Sequence, residues 1–213
     1  MPVLYLASKS PRRREILAGM GISDIKVIHA GPSVLTAFEG DETQHDGEAP
    51  QNYVVRTACE KARQAMDRIA AEGKISLPVL AADTVVICGD EILGKPEDAA
   101  KARLFMLKLS GRTHEVRTAV VVSDGISKQL HVAVSISQVT FSKLSSKQIE
   151  AYIRTDEPYD KAGGYAVQGL AGLFIERIEG SYSGIMGLPV FETAQLLAKV
   201  APQLLPDCAL TGR

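Results

Sequence analysis

The order in which apolar periodicities succeed one another restricts this chain to one broad architecture. Val3 to Ala7 is a short unbroken apolar run, as expected of a buried strand. Ser10-Pro11 then predicts a helix start, with Ser10 as cap and Pro11 at the first position. Ile16, Leu17 and Met20 give that helix an apolar face, and Gly21 stops it. A second strand is expected over 25–30, and a helix over 51–71 whose Val54, Ala58, Ala62, Ala65 and Ile69 share a face. Val79 to Cys88 reads as a strand, Gly89-Asp90 as a hairpin turn, and Ala99 to Leu109 as a helix. Two strands then follow directly, 113–122 and 129–141, joined near Asp124-Gly125. Ser145 and Gln148 fit a capping box for a helix reaching Ile153. A glycine-rich loop over 156–172, a strand over 173–178 and a last helix from about Pro189 to Val200 complete the chain. Strands and helices alternate at first, then strands pair as hairpins. That sequence of elements predicts an α/β protein with a mixed sheet, not a purely parallel one.

The chain has 213 residues, enough for one large domain or two small lobes. Its formal net charge is −1, without a basic block, so broad adhesion to nucleic acid or to a membrane surface is not expected. Aromatic residues are few and Trp is absent, which disfavours a stacking platform for single strands. No apolar run is long enough to span a bilayer, and the start lacks the pattern of a secretory signal. Cys59, Cys88 and Cys208 are odd in number and far apart, unlike a disulfide framework or a zinc site. A reducing cytoplasm is the expected location.

Five segments could carry chemistry. In Ser8-Lys9-Ser10-Pro11-Arg12-Arg13 a helix begins with two arginines in its first turn. Cations are unfavourable there unless an anion joins them, and arginine matches phosphate oxygens as a fork. Asp83 interrupts an apolar strand, where an acid is costly unless paired or bound to metal. Lys95 stands between Gly94 and Pro96 and could reach a phosphate. Glu60-Lys61, on the long helix, reads from spacing alone as a solvated face. The segment from Asp160 to Gly172 combines close-approach glycines with Lys161 as a charge and Gln168 as a donor-acceptor pair suited to a base edge. The stretch from Gly31 to Pro50 reads as a long functional loop. Phosphate-loop, dinucleotide, serine-hydrolase and zinc-protease motifs are absent, and His114 and His131, in strand-like runs, read as structural.

Taken in order, these pieces resemble the Maf family of nucleotide pyrophosphatases. The matching segments are Leu6 to Arg13, Glu60-Lys61-Ala62, Ala82 to Val86, Gly94-Lys95-Pro96, Leu109 to His114, Glu157-Pro158 with Asp160 to Gly163, Gln168-Gly169, and Gly187-Leu188-Pro189. They span about residues 4 to 190 in family order.

The resemblance implies one domain over 1–213, with a tail after about residue 200. It implies an elongated mixed sheet with two lobes around a cleft, as in the inosine-triphosphate-pyrophosphatase group. It implies a cytoplasmic homodimer that cleaves a nucleoside triphosphate to the monophosphate and pyrophosphate with a divalent metal, magnesium or manganese. Asp83 matches the catalytic acid, and Asp83 with Glu42 the metal-linked acids. Ser8, Arg12, Arg13, Lys61, Lys95 and Lys161 match phosphate-site positions. Arg12, Thr84 and Gln168 match the specificity pattern of the branch acting on dTTP and UTP. The segment 34–40 departs from the family by insertion before Asp41-Glu42. Methylated pyrimidine triphosphates or 7-methyl-GTP are alternative substrates, and a non-catalytic nucleotide-sensing regulator of cell division is an alternative role.

Overall fold

The structure, a computed structural model, describes residues 3–28 and 44–209. The elements follow the expected order. Strand β1 (Leu4–Leu6) is wholly buried and leads to helix α1 (Pro11–Gly19), β2 (Ile25–Val27) and α2 (Pro50–Ala71). Then come β3 (Val79–Cys88), β4 (Glu91–Leu93), α3 (Ala99–Leu109), β5 (Thr113–Ser123) and β6 (His131–Phe141). Helix α4 (Ser146–Tyr152), β7 (Ile175–Glu179), α5 (Tyr182–Met186) and α6 (Val190–Val200) close the series. The described strands form a seven-stranded sheet in the order β2-β1-β3-β5-β6-β7, with β4 paired to β3 off that path. β1 pairs parallel with β2 and β3, whereas β3–β4 and β6–β7 are antiparallel, so the sheet is mixed as expected. No helix among the described residues is long and apolar enough to cross a membrane.

The chain divides into two compact units. The first comprises Met1–Asp83, Ala119–Val134 and Gly187–Arg213. Its core gathers Leu4, Leu6, Leu17, Leu80, Val120 and Leu197, all fully buried. The second comprises Thr84–Thr118 and Ser135–Met186. It centres on Leu93, Phe105, Met106, Leu109, Val139 and Phe141.

Local chemistry explains most boundaries. Ser145 and Gln148 form the expected capping box at α4. Ser10 stands at the N-cap of α1, but its side chain makes no capping bond; Ser8 Oγ instead accepts the Ser10 N–H at 3.1 Å. The segment expected as loop over 156–172 contains three short 3-10 helices, Glu157–Asp160, Ala162–Gly164 and Leu170–Leu173. The last of these delays β7 to Ile175, because Phe174 N–H still donates back to Ala171 O. The stretch 29–43, covering the end of the expected second strand and most of the expected 31–50 loop, lies outside the described residues.

His114 confirms its structural reading. It is 3 % exposed, with Nε2 2.7 Å from Tyr165 Oη and its ring edge-on to Phe141 and Tyr165. Burial pushes its pKa down to about 4. Between that value and the ordinary 6.5, the unfolded chain takes up a proton that the folded chain refuses. The resulting stability is therefore complete above about pH 6.5 and is lost as pH falls toward 4, to the extent of about 3 kcal/mol. Denaturant unfolding across this window checks it. His114→Gln is expected to flatten that arm of the profile, and an unchanged profile contradicts the assignment.

Candidate functional site

The chemistry of the first unit gathers on Asp83. Only 8 % exposed, it lies in an apolar strand where an unpaired carboxylate would be several kcal/mol unfavourable. Two donors from α2 meet it. Lys61 Nζ reaches Oδ1 at 2.8 Å, and Thr57 Oγ1 reaches Oδ2 at 2.8 Å. Thr57 and Lys61 are four residues apart, so the helical pitch stacks them on one face. Lys61 is 3 % exposed. The solvated face that spacing alone assigns to Glu60-Lys61 is therefore wrong for Lys61, while Glu60 remains half-buried.

Arg56 steadies the same helix. Its Nε and Nη2 bond the two carboxylate oxygens of Glu48 at 2.7 and 2.8 Å, and Nη1 meets Glu60 at 3.1 Å. The Arg56 guanidinium holds Glu48 down at a pKa of about 2. This fork fastens the chain just before α2 to the turns that carry Thr57 and Lys61.

The start of α1 forms a second cluster in this unit. Arg13 is buried, with Nε donating to Gly187 O at 2.8 Å and Nη1 to Ser8 Oγ at 2.9 Å. These two bonds fix the guanidinium plane beside a helix N-terminus, the arrangement suited to an anion. Ser8 and Arg13 are thus brought together as expected, and Arg12 is half-buried beside them in sequence.

The second unit holds the remaining candidates. Thr84 Oγ1 lies 2.9 Å from Thr118 Oγ1, and Thr118 donates to Gly184 O at 2.7 Å. A carbonyl can only accept, so the single Thr118 proton is committed to it. Within this pair Thr84 is then the donor to Thr118. Lys95 is exposed after β4. Gly94 O accepts the Gly163 N–H at 3.0 Å, which sets the Lys95 turn against the Lys161 segment. Lys161 Nζ donates to Glu157 O at 2.9 Å and pairs with Asp160. Gln168 is exposed.

A divalent metal is compatible with the donor set, although the described residues contain no group of three or more His, Cys, Asp or Glu able to hold one. Magnesium is ordinarily held by one or two carboxylates, with water and phosphate oxygens completing the shell. Asp83 suits that mode: two of its roughly four lone-pair sites take the described bonds. Glu42, the other expected ligand, lies outside the described residues.

Sequence reasoning missed Thr57, Thr118 and Glu157. Thr57 carried a signal in its place one turn before Lys61, and Glu157 in its place within a segment that matches the family.

A family model described as Maf-like protein matches residues 3–200. A dTTP/UTP pyrophosphatase of Burkholderia thailandensis is 46% identical over 196 residues, covering 92% of each chain. One of Bordetella avium is 49% identical over 199 residues, covering 93% of this chain and 95% of the relative. Among solved structures, the Staphylococcus aureus Ham1 protein aligns with a TM-score of 0.45 at 14% identity, covering 80% of this chain and 90% of that one.

Proposed function

We propose, from the premise that the chain belongs to the Maf-like protein family, that it hydrolyses dTTP and UTP to the monophosphate and pyrophosphate. Relatives bearing that activity in their names match more than nine tenths of this chain, which supports the substrate pair. The observation that carries the chemistry is the buried Asp83, fixed by Lys61 and Thr57.

In this reading Ser8, Arg12, Arg13 and Lys61 meet the triphosphate as charge and hydrogen-bond donors, and the family resemblance alone adds the cations Lys95 and Lys161. Asp83, held at both oxygens, orients the attacking water and accepts its proton as the bond between the α- and β-phosphates breaks. Asp83 and Glu42 would be the residues to hold a divalent metal, which would supply charge neutralisation and a more acidic water when bound. Action as a cytoplasmic homodimer belongs to the same reading and rests on the family resemblance.

The base preference follows from the direction of one proton. Thymine and uracil carry a donor at N3, whereas cytosine carries an acceptor there. Thr84, its one proton given to Thr118, favours the donor. Gln168 can turn its amide to suit either base, so it does not set that choice. Pyrophosphate release from a panel of pyrimidine and purine triphosphates tests the reading, with dTTP and UTP expected well above CTP. Thr118→Val frees the Thr84 proton and is expected to lower the UTP-to-CTP ratio of kcat/KM by about tenfold, while Thr118→Ser retains it. An unchanged ratio in Thr118→Val contradicts the proton assignment. Equal turnover of all triphosphates by wild type contradicts the substrate pair.

A further inference from the structure

We propose that Glu157 is a positioning residue for substrate binding, setting the segment that carries Lys161 and Gln168 without itself touching substrate; this rests on the functional reading above. Its carboxylate is the hub of that segment. Oε1 accepts from Tyr152 Oη at 2.9 Å, Ala171 N at 3.1 Å and Ala166 N at 3.4 Å. Oε2 accepts from Leu170 N at 2.7 Å. These backbone donors lie on both sides of Gln168, so the carboxylate fixes the main chain from which that side chain springs. The main-chain oxygen of the same residue accepts from Lys161 Nζ at 2.9 Å. One residue thereby holds both groups assigned to substrate.

The fit is close enough to dictate a glycine. Gly169 has φ −107°, open to any residue, so its backbone asks for nothing special. Yet a Cβ there would fall 2.2 Å from Glu157 Oε2 and 2.6 Å from Cδ. Gly169 is the gap through which the carboxylate reaches the N–H groups beyond. Tyr152 closes the other side. Its hydroxyl is shared between Glu157 and Gly164 O at 3.2 Å, and burial, with the Glu157 hydrogen bond, drives its pKa far up, so it stays a donor.

Four donors converge on Glu157, and this chemistry requires a carboxylate. Glutamine has the same shape but one acceptor oxygen, and its NH2 would face N–H groups. Glu157→Gln should loosen the segment without enlarging any group. Gly169→Ala should do the same from the opposite side, by displacing the carboxylate. The two substitutions interrupt one contact, so their effects are expected not to add.

The test is steady-state pyrophosphate release from UTP and dTTP by wild type, Glu157→Gln, Gly169→Ala and the double variant, with the fraction folded measured for each. Expected is a KM raised roughly tenfold in each single variant, with kcat within about threefold of wild type, and a double variant no worse than the poorer single. A structural role alone would reduce folded enzyme, lowering apparent kcat at unchanged KM. That result, or additive effects in the double variant, overturns the proposal. Wild type that turns over neither nucleotide overturns the functional reading and this proposal with it. Normal wild-type turnover with unaltered variants overturns the proposal alone.

Discussion

Asp83→Asn yields a folded protein whose turnover of dTTP and UTP falls by about a thousandfold, the scale of losing a positioned acid-base group. Lys61 loses its counter-charge, so the melting temperature falls, but the fold is expected to survive because asparagine keeps the shape and half of the hydrogen-bond chemistry. Its oxygen can accept from Lys61 Nζ, which now meets Asp83 Oδ1 at 2.8 Å. Its amide can donate to Thr57 Oγ1, whose own proton has Tyr53 O at 2.9 Å as an acceptor. What disappears is the negative charge and the capacity to take a proton from water. The loss should fall on kcat, with circular dichroism and thermal unfolding confirming a native population. A folded variant with near-normal kcat removes Asp83 from the reaction.

Lys61→Met is expected to damage stability and activity together. The ammonium is the principal counter-charge to a carboxylate only 8 % exposed, and the lysine itself is 3 % exposed. Removing one member of such a pair leaves a buried charge without compensation, a loss of about 3–5 kcal/mol. For a domain of this size that lowers Tm by roughly 10 °C. Replacing both members by apolar residues, Lys61→Met with Asp83→Leu, should restore most of the stability and none of the turnover. Thermal unfolding of the two variants beside wild type checks this. If the single variant melts with wild type, the pair is contributing no more than an exposed ion pair.

These two residues also show how much the sequence disclosed. Asp83 was legible because an acid inside an apolar strand run breaks the pattern that strand burial imposes. Its partner was less so: Lys61 occupies a long helix, where a charged residue is solvated by default. Only the register of α2 against β3 reveals that its stem runs inward. Helices α3 and α4 were legible to within a residue, since apolar spacing and a capping box are local signals. Helix α5 was not, because five residues with a glycine in the middle carry no periodicity. The segment after Asp156 read as loop for a similar reason. Its order comes from the Glu157 carboxylate reaching amides 9 to 14 residues onward, a contact no window of sequence displays. The Thr118 proton direction likewise depends on a carbonyl 66 residues away.

The central claim concerns which phosphate bond breaks. Following UTP digestion by phosphorus NMR, with magnesium present, reads this directly. The account predicts UMP and pyrophosphate appearing in equal amounts, with no UDP at any time. UDP with inorganic phosphate would place the cleavage between the β- and γ-phosphates and contradict the account.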